Sequence, residues 1–189
     1  MNPPAQQEWE AAALRLFEDE YAFVANGPRH HDDWRTDVLA VMARAVADPR
    51  GWLAMDGDRE ENTADPSRGS SFPFTVSSEA RIGEMLHEVG AYSAAQLLVV
   101  MTDEWFQVEN IRDFPERKEI LLADAHILLS RYLPDCSFHT TAGNAAVDRN
   151  ADFFHDVTGG SQATGYLSDL GLVAVSDDEV GVFWRFNAY

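Results

Sequence analysis

Residues 168–186 read SDLGLVAVSDDEVGVFWRF. An apolar run from Leu172 to Ser176 meets a polar turn at Asp177, Asp178 and Glu179. A second apolar run follows from Val180 to Phe186. Two β-branched and aromatic runs separated by a short polar turn predict an antiparallel β-hairpin. Just upstream, SQATGYLSDL at 161–170 reads as a short helix stopped by Gly171. With helical spacing elsewhere in the chain, this ending predicts an α+β fold.

A helix, strand, turn and strand in that order resemble the recognition helix and wing of a winged-helix DNA-binding domain. The chemistry argues against that use. A wing approaches the duplex with basic residues, because neutralised phosphates supply most of the affinity. Here the turn carries three acids, and 161–170 holds no arginine or lysine to read a guanine edge. Arg185 is the only cation nearby. The plainer expectation is a C-terminal hairpin at a sheet edge. Its Leu172, Ala174, Val180, Val182 and Trp184 would cover the core, and its acidic turn would oppose edge-to-edge pairing.

The charge of the whole chain points the same way. Fourteen basic residues stand against 32 acidic ones, a net charge of −18 in 189 residues. The surplus is spread along the chain: residues 1–65 carry 6 basic and 14 acidic side chains, and residues 120–189 carry 3 and 9. Such a field repels polyphosphates and anionic lipid, and it steers cationic partners inward. Neither nucleic acid nor membrane is expected as a partner. Hydrophobic residues make up 46% and aromatics 11%, enough for a packed core. The single Cys136 excludes an internal disulfide. No secretory signal is visible at MNPPAQQEWE and no apolar run approaches the ~18 residues of a membrane span, so a cytoplasmic protein is expected.

A helix-rich single domain over 1–189 is expected. It begins with an N-terminal helical hairpin at 1–55, built on the stripes Trp9, Ala13, Leu16, Phe17, Tyr21, Val24 and Trp34, Val38, Val41, Met42. Asp32 or Asp33 would cap the second helix. Residues 56–71, DGDREENTADPSRGSS, read as a mobile acidic loop, and 72–189 as an α+β body. Within the body, Ser77 or Ser78 would cap a helix with Ile82, Met85, Leu86 and Val89. QLLVVMTDEWFQVENI favours a hairpin over a buried helix, and Pro115 opens a helix ended by Pro134. CSFHTTAG is extended, and NAAVDRNADFFHDV is helical.

Two sets of side chains carry candidate chemistry. EMLH places Glu84 and His87 at i, i+3, and DFFH repeats the spacing with Asp152 and His155. Carboxylate plus imidazole from facing helices, completed by His126 and with Asp124 and His139 as further donors, is how bundles hold iron or manganese. A divalent transition metal is therefore a conceivable cofactor, though none is required. The second set is acidic and aromatic: Asp103, Glu104 and Trp105, and the turn Asp177, Asp178 and Glu179. Carboxylates interleaved with rings suit a partner bearing arginine, through charge and cation–π contacts. Cys136 with His139, Ser161 in GGSQATG and the run HHDD at 30–33 offer the residue types of nucleophile, phosphate-loop and ligand patterns. Sequence proximity is not what a catalytic Cys–His pair requires. Ser161 lacks the second flanking glycine of a nucleophile elbow, and GGSQATG has the Gly160–Gly165 spacing of a phosphate loop but Tyr166 where lysine is needed. Consecutive residues such as HHDD seldom converge on one ion.

The leading expectation is a non-enzymatic acidic module of inhibitor, immunity or adaptor type that engages a basic protein. A small metal-dependent enzyme is the alternative, and a winged-helix regulator the second alternative.

Overall fold

The last two strands of the chain lie at the centre of the molecule. In the computed structural model, which describes residues 5–17, 21–44, 71–76 and 78–187, β4 (Ser168–Ser176) and β5 (Glu179–Asn187) form a hairpin flanked on both sides. β1 (Ala22–Pro28) pairs with β5, β3 (Cys136–Thr140) with β4, and β2 (His87–Val89) with β3, giving the antiparallel order β1-β5-β4-β3-β2. The mixed α+β architecture is as expected. The edge position of the hairpin is not, because β1 and β2 form the edges.

Both sheet faces are apolar, and each carries its own core. Leu170, Leu172 and Ala174 of β4, Phe183 of β5 and Phe138 of β3 face three helices: α1 (Gln6–Leu16), α4 (Ala91–Val100) and α5 (Phe114–Ser130). Val173, Val175, Val180, Val182, Trp184 and Phe186 face the other way, toward α2 (Trp34–Met42) and α3 (Glu79–Met85). The strand period of two thus sends alternate side chains of one hairpin into two cores. Buried aromatic rings remove about 150–250 Å² each from water. At about 25 cal/mol per Å², Trp9 on one face and Trp184 on the other each supply about 4–6 kcal/mol of gross burial. Two glycines make room for aromatic side chains packed against the strands. A Cβ at Gly171 would overlap the Trp184 indole, and one at Gly181 would overlap the Tyr132 phenol.

Local signals explain the helices. Trp9, Ala12, Ala13 and Leu16 form the buried stripe of α1. Asp33 caps α2 by accepting from the Arg35 N–H at 3.1 Å, and Ser78 caps α3 by accepting from the Arg81 N–H at 3.3 Å. Pro115 sits in the first turn of α5, where a missing N–H costs nothing.

Several expected elements differ. The N-terminal helical hairpin is interrupted by β1. Ala22 and Val24 pack into one core and Phe23 and Ala25 into the other, a strand alternation that the helical reading of Tyr21 and Val24 overlooked. In consequence α1 and α2 pack on opposite sheet faces. Of the 96–111 stretch expected as a hairpin, Gln96–Val100 belong to α4, which is buried from Ser93 to Val100, and the rest is turn and loop with a 3-10 turn at Val108–Asn110. A helix covered all round shows no amphipathic period to read. Residues 147–157 are not helical. After a 3-10 turn at Gly143–Ala146, Asp148 and Asp152 accept from the backbone N–H groups two residues on, and these turns compete with helix. Residues 161–167 are irregular too. The Asp169 carboxylate accepts from the Ala163 and Thr164 N–H groups, the Thr164 hydroxyl and the Trp184 indole, and so draws this segment onto the sheet. A wing therefore has no recognition helix before it among the described residues. The acidic loop at 56–71 falls, Ser71 excepted, outside the described residues.

Candidate functional site

The candidate metal ligands do not converge. α3 ends at Met85, so Glu84 is helical while His87 opens β2, and the shared helical face is lost. Glu84 faces Arg81 at 3.4 Å. His126 is exposed on α5, across the sheet from α3. Asp152 and His155 share a turn, where the Asp152 carboxylate accepts from Gln96 Nε2 at 2.8 Å and from the Phe154 N–H. Among the described residues no group of three or more His, Cys, Asp and Glu side chains is arranged to hold a metal ion.

The neighbouring polar residues have other tasks. Asp124 is buried and accepts from the Arg15 guanidinium, at 3.0 and 3.1 Å from Nε, which fastens α1 to α5. The His139 ring stacks on Trp34 with centroids 4.7 Å apart, and its Nε2 lies 2.9 Å from the Ser137 hydroxyl. Burial holds the His139 imidazole below its ordinary pKa. Cys136 and His139 are three apart on β3 and so face opposite sides of the sheet. Burial, reinforced by Asp135, pushes the Cys136 thiol up, away from the thiolate a nucleophile needs. In the HHDD run, Asp33 caps α2 as expected, and the buried Asp37 organises the two histidines. Its carboxylate accepts from the His30 and His31 N–H groups at 3.2 Å and meets His31 Nδ1 at 2.7 Å. Burial raises the Asp37 pKa, but these contacts more than offset it and leave the carboxyl below its ordinary value.

The acidic–aromatic set divides in two. Asp103, Glu104 and Trp105 occupy the loop after α4. Asp103 accepts from the Trp105 and Gln107 N–H groups and from Asn110 Nδ2, so it serves the loop itself. Glu104 accepts from the indole of Trp105, which is half exposed. Asp177, Asp178 and Glu179 lie at the β4–β5 turn, near the other end of α5. The seventeen residues of α5 span roughly 25 Å at ~1.5 Å per residue, so the two groups cannot grip one side chain.

Around the β4–β5 turn the surface opens into a groove of about 750 Å³. One wall is the turn, with Asp177 and Asp178 exposed. The opposite wall is the chain leaving α5, with Leu133, Pro134 and Asp135 exposed. Arg131 lies between them, and each of its three guanidinium nitrogens donates a hydrogen bond. It donates to Glu179 at 2.6 and 2.7 Å and to Gln6 Oε1 at 2.6 Å, and it stacks over Trp9. The bond to Glu179 raises the Arg131 pKa above its ordinary value. Four carboxylates line the groove against one guanidinium, which leaves three net negative charges. Sequence reading singled out the turn but missed Asp135, which enters the site only because α5 and β3 bring it opposite the turn.

Compared with protein-family models, with curated proteins and with solved structures, the chain matches none.

Proposed function

We propose that this chain is a binding module for a cationic protein segment, received in the groove between the β4–β5 turn and the Leu133–Asp135 chain. The observation that carries the reading is the balance of charge there. Asp135, Asp177 and Asp178 are exposed with no described side chain hydrogen-bonded or ion-paired to their carboxylates, while Glu179 already holds Arg131, the only cation among the described lining residues. An arginine or lysine entering the groove meets carboxylates on both walls and can rest its aliphatic stem on Leu133 and Pro134. The C-terminal end of α5, which feeds the groove wall, adds the negative end of its helix dipole. The net charge of −18 would speed encounter without fixing the pose. Metal chemistry and duplex binding have no comparable support among the described residues.

The test is fluorescence anisotropy with a labelled arginine-rich decapeptide at two ionic strengths. Saturable binding that weakens with salt is expected. The variant with Asp135→Asn, Asp177→Asn and Asp178→Asn should bind at least tenfold more weakly, and Asp148→Asn, outside the groove, should bind as the parent does. Equal binding by parent and triple variant would overturn the groove assignment. No saturable binding to the parent at low salt would overturn the function.

A further inference from the structure

Cations are scarce in this chain, yet three of its fourteen meet in one cleft. Arg15 near the end of α1, Arg112 in the loop before α5 and Arg117 in the second turn of α5 line a space of about 230 Å³, together with Thr102, Asp103 and Asn110. Their guanidinium donors are only partly used. Arg15 spends Nε and Nη2 on Asp124, so Nη1 remains. Arg117 donates Nη1 to the Arg112 carbonyl and is ion-paired to no carboxylate among the described residues. Arg112 faces Asp113 at 3.4 Å from a side chain that is 90% exposed, a pair that water and salt screen heavily. Asp103 is the one carboxylate among the described lining residues, so the three guanidiniums stay in excess of it, and no arginine is hydrogen-bonded to it. Its Oδ2 accepts from three N–H donors of its own loop.

We infer that this cleft binds a small phosphate dianion, of the phosphate-monoester class. Two incompletely paired guanidiniums with free forks match a dianion in charge and geometry. The positive end of the α5 dipole lies beside them. The charge of the whole chain does not forbid this. It disfavours long polyanions that sample the whole surface, whereas a small ion responds to charges within a screening length of roughly 8 Å. The acidic groove lies about 21 Å farther along α5, the rise from Arg117 to Arg131 at ~1.5 Å per residue. The site is distinct from the groove and does not depend on the function proposed for it.

The test is titration of the full chain with inorganic phosphate at pH 8, followed by calorimetry and by the phosphorus NMR signal. One saturable site is expected. Arg117→Gln and, separately, Arg112→Gln should weaken it at least tenfold with unchanged thermal stability, while Arg149→Gln, whose side chain faces Glu88 elsewhere, should leave it intact. Absence of a saturable site, or binding unaffected by both cleft variants, overturns the inference. Acetate binding as tightly as phosphate overturns the choice of a dianion.

Discussion

Replacing Tyr132 with phenylalanine should make the protein more stable. The ring of Tyr132 is 1% exposed, packs edge-on against Phe183 and projects its hydroxyl over Gly181. That hydroxyl has no hydrogen-bond partner among the described residues. A buried hydroxyl without a partner costs about 1–3 kcal/mol. Phenylalanine keeps every ring contact and gives up only the dispersion contacts of one oxygen, at ~0.1–0.2 kcal/mol each. The balance favours the variant by about 1 kcal/mol. With a urea m-value of about 1–3 kcal/mol/M, the midpoint should rise by about 0.3–1 M at unchanged m. In a chain of this size Tm should rise by about 2–4 °C. A midpoint lowered by the substitution would refute the reasoning, because it would mean that the hydroxyl is hydrogen-bonded in solution.

The same side chain gives an independent alkaline signature. Burial drives the Tyr132 pKa far above its ordinary value, so the folded state keeps the phenol neutral. The unfolded chain ionises it near pH 10. A raised folded pKa contributes stability that is complete below the unfolded value and is lost as pH rises beyond it. The parent should therefore lose stability above about pH 10 more steeply than Tyr132→Phe, and the gap between them should widen there.

Two further substitutions test the loop before α2. Asp33→Ala removes the cap and should cost about 1 kcal/mol in urea unfolding, with m unchanged. Asp37→Asn weakens a buried carboxylate held by two backbone N–H groups and the His31 ring, and should cost about 1–3 kcal/mol at pH 7. Because the Asp37 pKa is lowered in the fold, its contribution is present above the ordinary carboxyl pKa of about 4 and disappears as pH falls below it. Parent and variant should therefore converge in acid, as read by denaturation midpoints at pH 7 and below pH 3.

The elements legible in the sequence are those whose signals are local. α5 announces itself through Pro115 and the spacing of Leu121 and Leu128, and the final hairpin through its polar turn. The place of that hairpin in the sheet is not local. It depends on β1 and β3, whose paired residues lie 151–163 and 32–40 positions earlier. α4 was obscured for the opposite reason: with Ser93 and Gln96 buried and bonded to the 151–153 segment, its polar residues mark no exposed face. The Glu84–His87 pattern failed because it assumed one more helical turn than α3 makes. At the candidate site the acidity of the turn could be read directly. The groove could not, because it needs Leu133, Pro134 and Asp135 to stand opposite residues forty positions later.

The charges around α5 argue that stability alone did not place them. A helix gains from acids near its N-terminus and bases near its C-terminus, about 0.3–1 kcal/mol each at exposed positions. Asp113 and Glu116 at one end and Arg131 at the other follow that rule. Arg112 and Arg117 stand against it at the N-terminal end, and Asp135, Asp177 and Asp178 stand against it around the C-terminal end. In the groove lining the acids outnumber Arg131, and in the cleft lining the three arginines outnumber Asp103. Each lining therefore carries a surplus of the same sign as the dipole end it adjoins, even though Asp113 and Glu116 offset Arg112 and Arg117 on the helix itself. A cationic side chain in the groove and a phosphate in the arginine cleft would relieve that surplus. Neutralising Asp177 and Asp178, or Arg112 and Arg117, should for the same reason leave the unliganded protein as stable as before or more so, while removing the capacity to bind.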